Sequence, residues 1–271
     1  MILISRFALL LATSMCLLPF CITLALSAPS ENKHNELSKL FSSKDLTGTI
    51  VISSLDGSTL YVHNKNRSKE KFSPASTFKI LNTLIALEEK AITDENETIE
   101  WNGTQYTYPD WNHNHTLKTA FKVSCVWCYQ ELAQRVGIQK YYQYLGKTNY
   151  GNIQSQLSET AFWLDGSLTI SALSQIDFLK SIYKKTLPFS PLYYETLKKI
   201  MIIEATSDYT LRAKTGWAQL TSPQTGWYIG YIETHKGTWF FAMNIEVKDK
   251  SDLHYRQLIT REALKLVGII E

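Results

Sequence analysis

Strand-like segments lie near both ends of this sequence, and helix-like segments lie between them. Two alternating runs near the start, TGTIVISS and STLYVHN, flank Asp56-Gly57, which is a strong signal for a β-hairpin. Three further runs, DYTLRAKTG, GWYIGYIE and TWFFAMNIEV, lie near the other end. Because separate sheets of two and three strands would bury their faces poorly, the pattern predicts one antiparallel sheet built from both chain ends.

Helical patterns fill the middle of the chain and return at its C-terminal end. They cover residues 76–90, 117–136, 171–185, 191–203 and 251–267. We therefore expect an α/β fold of the α+β type, with helices flanking a central antiparallel sheet and an all-helical lobe inserted between its strands. The expected sheet lobe comprises residues 28–75 and 205–271, and the helical lobe comprises residues 76–204.

Residues 1–27 are predicted to be a signal peptide. One charge, Arg6, precedes a long apolar run, and small residues follow near Ser27-Ala28, where cleavage is expected. The mature chain, residues 28–271, would then be periplasmic or secreted, with no stable membrane insertion. An uncleaved membrane anchor is the alternative, because the apolar run is long for a signal peptide.

The composition is that of an ordinary globular protein, with 44% hydrophobic and 20% charged residues among 271. The net charge of +3 comes from 28 basic and 25 acidic residues scattered along the chain. Because no basic run interleaves with aromatic residues, nucleic-acid binding has little support. The sequence leaves the oligomeric state open.

Lys79 lies on a segment, FSPASTFKILNTLIALEEK, that is apolar on nearly every side of its predicted helix. Such a helix is normally buried, and a lysine is rarely buried without a partner. Ser76 precedes Lys79 by one turn on the same face. Burial lowers the pKa of a lysine, and a neutral amine could take the proton of the serine. The alternative is a helix-capping serine beside a lysine that reaches solvent.

Lys214-Thr215-Gly216 falls on a predicted strand, where Lys214 and Gly216 share a face. A cation and a hydroxyl, followed by a residue without a side chain, suit a carboxylated substrate that lies along a sheet edge. An ordinary lysine on a strand that ends in a turn is the alternative for this tripeptide alone.

Five motifs follow one another along the chain: Ser-Thr-Phe-Lys, Ser-x-Val, Tyr-Gly-Asn, Phe-Trp-Leu and Lys-Thr-Gly. Ser-x-x-Lys with Lys-Thr-Gly is typical of penicillin-recognising serine enzymes, although their usual Ser-Asp-Asn element is absent. In this order and spacing, the motifs make residues 46–270 resemble a class D (OXA-type) serine β-lactamase.

The resemblance implies roles for the matching residues. Ser76 would be the acylated nucleophile, and Lys79 the general base in an N-carboxylated form. Ser124 would relay protons, Val126 would form an apolar lid, and Trp163 would donate its indole N–H to the carbamate. The residues implied in substrate binding, including the oxyanion hole formed by the backbone N–H groups of Ser76 and Trp217, are Lys214, Thr215, Gly216, Trp217, Arg256, Tyr150 and Asn152.

The implied reaction is hydrolysis of a β-lactam with no cofactor beyond the carbon dioxide or bicarbonate that carboxylates Lys79. A penicillin-binding sensor that is acylated without turnover would share these motifs, but the chain offers only its N-terminal apolar run as a membrane segment. A cell-wall D,D-peptidase is a third reading, and the absence of Ser-Asp-Asn weakens it.

Two further clusters carry less specific signals. His113 and His115 lack an obvious third ligand, so we expect solvated loop histidines and no metal. Cys125 and Cys128 have the C-x-x-C spacing of a redox pair, but they fall on a stretch that looks helical throughout. The favoured interpretation is two small buried side chains on one helix face.

Overall fold

The structure is a computed structural model, and it describes residues 29–271. The predicted signal peptide therefore lies outside the described residues. Within the described part of the chain, no helix is both long enough and apolar enough to cross a membrane.

A six-stranded antiparallel sheet forms the centre of the molecule, and its spatial order is β2-β1-β11-β10-β9-β8. The strands at residues 29–271 are β1 (Gly48–Ser54), β2 (Leu60–His63), β3 (Lys71–Phe72), β4 (Thr98–Ile99), β5 (His115–Thr116), β6 (Asn152–Ile153), β7 (Leu168–Ser171), β8 (Ile202–Ala205), β9 (Tyr209–Ala218), β10 (Thr225–Thr234) and β11 (Gly237–Glu246). Because β1 pairs with both β2 and β11, the two chain ends share one sheet, as the sequence predicts.

Helices cover both faces of this sheet. They are α1 (Pro29–Ser42), α2 (Lys79–Glu88), α3 (Leu117–Lys122), α4 (Val126–Val136), α5 (Ile138–Thr148), α6 (Ala172–Lys184), α7 (Pro191–Ile200) and α8 (Tyr255–Leu266). Helices α1 and α8 pack on one face, while α6, which belongs to the predicted helical lobe, packs on the other. Residues 76–204 also contain short strands: β4 pairs with β5, and β6 and β7 form a small sheet with β3, which precedes this segment.

Side chains of the central strands alternate between two hydrophobic cores. In β1, Val51 belongs to the core shared with α2, α4 and α6. Its neighbours Ile50 and Ile52 belong to the core shared with α1 and α8. Successive residues of a strand point to opposite faces, so a sheet covered on both sides needs apolar residues at nearly every position.

The prediction of one continuous helix over residues 117–136 is wrong. Helix α3 ends at Lys122, and α4 begins only at Val126. Between them Ser124 has a φ of 60°, a left-handed conformation that no α-helix contains. Cys125 then caps α4, since its sulfur accepts a hydrogen bond from the backbone N–H of Cys128 at 3.2 Å.

Helices α1 and α5 were not expected from the sequence. In α5, the buried residues Tyr141, Tyr144, Leu145 and Thr148 recur at helical spacing. The polar residues between them, together with Gly146, are also typical of a loop, and they obscure the helical pattern in the sequence.

Candidate active site

Ser76 and Lys79 meet where a short 3-10 helix, Ala75–Phe78, leads into α2. The Nζ atom of Lys79 lies 3.0 Å from Ser76 Oγ. Ser76 is partly accessible, whereas the side chain of Lys79 is completely buried, with its Nζ 5.0 Å from the ring centroid of Tyr129. The lysine therefore reaches the serine and does not extend to solvent.

The pKa of Lys79 is lowered well below its usual value, first by burial and then by the positive charge of Lys214. Among the described residues, no carboxylate forms an ion pair with Lys79 that would counter these two effects. A buried amine without a compensating anion favours the neutral form. Lys79 can therefore accept a proton, which an ammonium group cannot do.

Ser124 lies in the break between α3 and α4, where its hydroxyl meets a residue from the central sheet. Lys214 of β9 donates a hydrogen bond from Nζ to Ser124 Oγ at 3.0 Å. Burial, with a smaller contribution from the charge of Arg256, lowers the pKa of Lys214 to about 7.

A positive φ at a residue other than glycine costs free energy, and such residues cluster at functional sites. The left-handed conformation of Ser124 places its hydroxyl at Lys214.

Gly216 allows β9 to lie directly against the 3-10 helix that carries Ser76. A Cβ atom on Gly216 would come within 3.0 Å of the carbonyl oxygen of Pro74 and within 3.1 Å of Thr77 Cγ2. On β9, the carbonyl oxygen of Gly216 accepts a hydrogen bond of 2.7 Å from Arg256 Nη1. Burial lowers the pKa of Arg256 to about 10, so its guanidinium stays charged at neutral pH.

Trp163 lies fully buried beside the helix that carries Ser76. Its ring stacks on Phe78 with centroids 5.7 Å apart, and its carbonyl oxygen accepts a hydrogen bond from the Ala75 N–H at 2.8 Å. The indole N–H of Trp163 is buried and has no hydrogen-bond partner in the described part of the chain. A buried N–H without an acceptor costs about 1–3 kcal/mol. An additional acceptor beside Trp163 would therefore stabilise the folded protein.

A cavity of about 330 Å³ opens in front of Ser76. Six other residues that the sequence assigns to the site line this cavity, so the structure brings them together: Ser124, Val126, Thr215, Gly216, Trp217 and Arg256. The other lining residues were not predicted, and most of them are apolar or aromatic: Tyr108, Trp111, Val123, Leu164, Gln219, Leu220, Lys250 and Leu253. The two aromatic residues come from the segment between β4 and β5, where Pro109 and several aromatic residues are the only sequence signal for an ordered loop.

Tyr150 and Asn152 were predicted to bind substrate, but neither lines this cavity. Tyr150 is buried behind the site, with its ring 5.6 Å from Phe78 and 4.7 Å from Phe178. Asn152 is exposed on β6, where it pairs with Thr169. Tyr150 therefore supports the catalytic helix through packing, and Asn152 lies on the edge of a small sheet.

The interpretation of the histidines and cysteines also needs correction. His115 is only 2% exposed and is not a solvated loop residue. Cys125 and Cys128 form a disulfide bond and are not two free thiols on a helix face. The interruption of the helix at Ser124 allows this pairing, because Cys125 is the capping residue of α4 and not part of a continuous helix.

The chain matches the family model described as the penicillin binding protein transpeptidase domain over residues 23–265. It is 37% identical to β-lactamase OXA-20 of Pseudomonas aeruginosa across 98% of both chains. It is 39% identical to β-lactamase OXA-48 of Klebsiella pneumoniae, across 82% of this chain and 84% of the relative. The class D β-lactamase YbXI from Nostoc has a similar structure, with a TM-score of 0.84 at 38% identity, across 86% of this chain and 99% of the other.

The family model first defines the chain as a penicillin-recognising serine enzyme. Within these enzymes, the relatives and the solved structure identify the subgroup: the chain belongs to the class D serine β-lactamases. The resemblance found in the five sequence motifs is confirmed.

Replacing Gly216 by alanine tests the close approach of β9 to Ser76. The added Cβ should displace the strand by a few tenths of an ångström, and we expect acylation by penicillin to slow about tenfold because small displacements in an active site are costly. Stopped-flow kinetics measure the rate of acylation of each variant by penicillin. Gly146→Ala is the matched control, since a Cβ there meets no atom within 4 Å. Equal acylation rates in the two variants would show that the close approach is unimportant.

Proposed function

We propose that this chain hydrolyses the β-lactam ring of penicillin-like antibiotics through an acyl-enzyme on Ser76, and thereby confers antibiotic resistance. The observation that carries the proposal is the 3.0 Å contact between Ser76 Oγ and the fully buried Nζ of Lys79. A serine hydroxyl is a weak nucleophile until a neighbouring base takes its proton. The depressed pKa of Lys79 supplies a base beside this serine.

In acylation, Ser76 Oγ gives its proton to Lys79 and attacks the carbonyl carbon of the lactam. The ring C–N bond then breaks, Ser124 gives its proton to the departing nitrogen, and Ser124 takes the proton held by Lys79 in return, which leaves Lys79 free to act as a base again. The backbone N–H groups of Ser76 and Trp217 would stabilise the negative charge on the carbonyl oxygen. Water activated by Lys79 then attacks the ester on Ser76 and releases the opened product.

The carboxylate of the substrate would bind at Lys214, Thr215 and Arg256. Arg256 keeps a positive charge at neutral pH, because its pKa of about 10 lies well above it. Lys214, with a pKa of about 7, is only partly charged without substrate. A bound carboxylate favours the charged form, so substrate binding should protonate Lys214 and strengthen its own attachment.

We further propose that Lys79 acts in its N-carboxylated form. A neutral amine can add carbon dioxide, and the buried, unpartnered indole N–H of Trp163 supplies a hydrogen bond for the oxygen atoms gained. Burying a charge is costly unless it is hydrogen-bonded, and this donor together with the nearby Lys214 offsets that cost. Val126 lines the cavity at this point and would limit the access of water.

Steady-state hydrolysis of a chromogenic cephalosporin by the purified mature chain tests the proposed reaction. We expect many turnovers per enzyme molecule, and Ser76→Ala should abolish both hydrolysis and labelling by fluorescent penicillin. Ser181→Ala is the control, because Ser181 also precedes a lysine by three residues but lies within α6. A single stoichiometric burst without turnover would indicate a sensor and contradict the proposal.

Activity should fall as the pH drops below neutrality, and added bicarbonate should restore much of it. A carbamate loses carbon dioxide when it is protonated, and the neutral amine that forms it again exists only above the lowered pKa of Lys79. Hydrolysis rates of degassed and bicarbonate-saturated enzyme, compared at mildly acidic pH, measure the effect. Identical rates would mean that Lys79 acts as a free amine.

We also propose that residues 1–27 direct export and are removed, so that the enzyme acts in the periplasm or outside the cell. The support is the single charge of Arg6 ahead of an apolar run that ends in small residues. Mass spectrometry of the cell-envelope protein should find a chain that begins near Ala28. A mature species that retains Met1 would contradict cleavage.

A further inference from the structure

We propose that the chain binds one thiophilic metal ion, with Zn²⁺ as the representative, when the disulfide between Cys125 and Cys128 is reduced. One ring nitrogen of His115 and the Sγ atoms of the two cysteines lie within 4.8 Å of one another. All three side chains are buried. Two thiolates and an imidazole are a common ligand set for zinc, and C-x-x-C is a common spacing for the cysteines.

The hydrogen bonds of His115 leave one ring nitrogen with a free lone pair. Its Nε2 atom lies 2.9 Å from the carbonyl oxygen of Asp110, and a carbonyl oxygen can only accept a hydrogen bond. Nε2 therefore carries the proton, and Nδ1 keeps its lone pair. A backbone carbonyl that orients the second nitrogen is typical of histidines that bind metals.

The hydroxyl of Thr119 lies beside the lone pair of His115 Nδ1, and it can form a hydrogen bond with a different acceptor. Its hydroxyl lies 3.2 Å from His115 Nδ1 and 3.1 Å from the carbonyl oxygen of Thr116. A hydroxyl has one hydrogen, which can be donated to the Thr116 carbonyl. Nδ1 can therefore bind a metal without leaving the threonine unsatisfied.

The two sulfur atoms lie at the N-terminal end of α4. Cys125 is its capping residue, and the backbone N–H of Cys128 points at Cys125 Sγ from 3.2 Å. The N-terminus of a helix stabilises negative charge and lowers the pKa of a cysteine placed there. Thiolates are the form of cysteine that binds metals, so this position favours binding once the disulfide is reduced.

Reduction of the disulfide bond frees both cysteines for metal binding. A phosphine or dithiol reductant supplies two electrons, two protons enter, the S–S bond breaks, and two thiols form. Binding of Zn²⁺ then releases both thiol protons to solvent. In the oxidised chain, neither sulfur of this described cluster is a thiolate, so occupancy depends on the redox state. Because Cys125 directly follows the cavity-lining Ser124, the ion would lie close to the active-site cavity.

Zinc titration of the mature chain tests this inference. The oxidised chain and the phosphine-reduced chain each compete with a chromophoric chelator for Zn²⁺. We expect one equivalent of Zn²⁺ to bind the reduced chain and none to bind the oxidised chain. Co²⁺ in place of Zn²⁺ should give the charge-transfer absorption of a cobalt–thiolate bond only after reduction. The absence of zinc binding by the reduced chain, or equal binding by both forms, would overturn the inference.

His115→Gln should weaken zinc binding by the reduced chain about tenfold or more. His113→Gln is the matched control, because His113 is exposed and its ring lies only 4.3 Å from that of His115. Circular dichroism of both variants establishes that they fold. Unchanged zinc affinity in a folded His115→Gln variant would contradict the assignment of this ligand. If that variant does not fold, the comparison of the oxidised and reduced wild-type chains decides.

Discussion

The burial of Lys79 without a carboxylate partner is the constraint on which the site depends. Water would stabilise the ammonium, but its removal and the nearby Lys214 both favour the neutral amine. The fold achieves this by starting a nearly all-buried helix, α2, at that lysine. The apolar helix therefore serves stability and chemistry together, since the same packing that forms the core lowers the pKa of the base.

The remaining parts of the site are positioned around this pair by close backbone contacts. Gly216 lets β9 approach the 3-10 helix of Ser76, which brings Lys214 and the cavity-lining Thr215 to the nucleophile. The break before α4 turns the hydroxyl of Ser124 toward Lys214. The charge of Lys214 therefore adds to burial in lowering the pKa of Lys79, while burial and Arg256 lower the pKa of Lys214.

The sheet could be predicted from sequence because alternation and the Asp56-Gly57 turn are local signals. The pairing of Ser76 with Lys79 was also local, since one helical turn separates them. The break at Ser124 was not predictable from propensity, because a left-handed serine is imposed by contacts distant in sequence. The apolar wall of the cavity, including Tyr108 and Leu253, likewise depends on how separate segments meet in the folded chain.

Carbon-13 NMR of the enzyme equilibrated with labelled bicarbonate tests the central claim, that burial makes Lys79 a neutral amine able to take up carbon dioxide. We expect one protein-bound carbamate resonance at neutral pH that is absent from Lys79→Ala and lost on acidification. Trp163→Phe, which removes the unpartnered indole N–H while keeping an aromatic ring, should weaken that resonance. Fully active enzyme without any such resonance would show that Lys79 does not act as a carbamate.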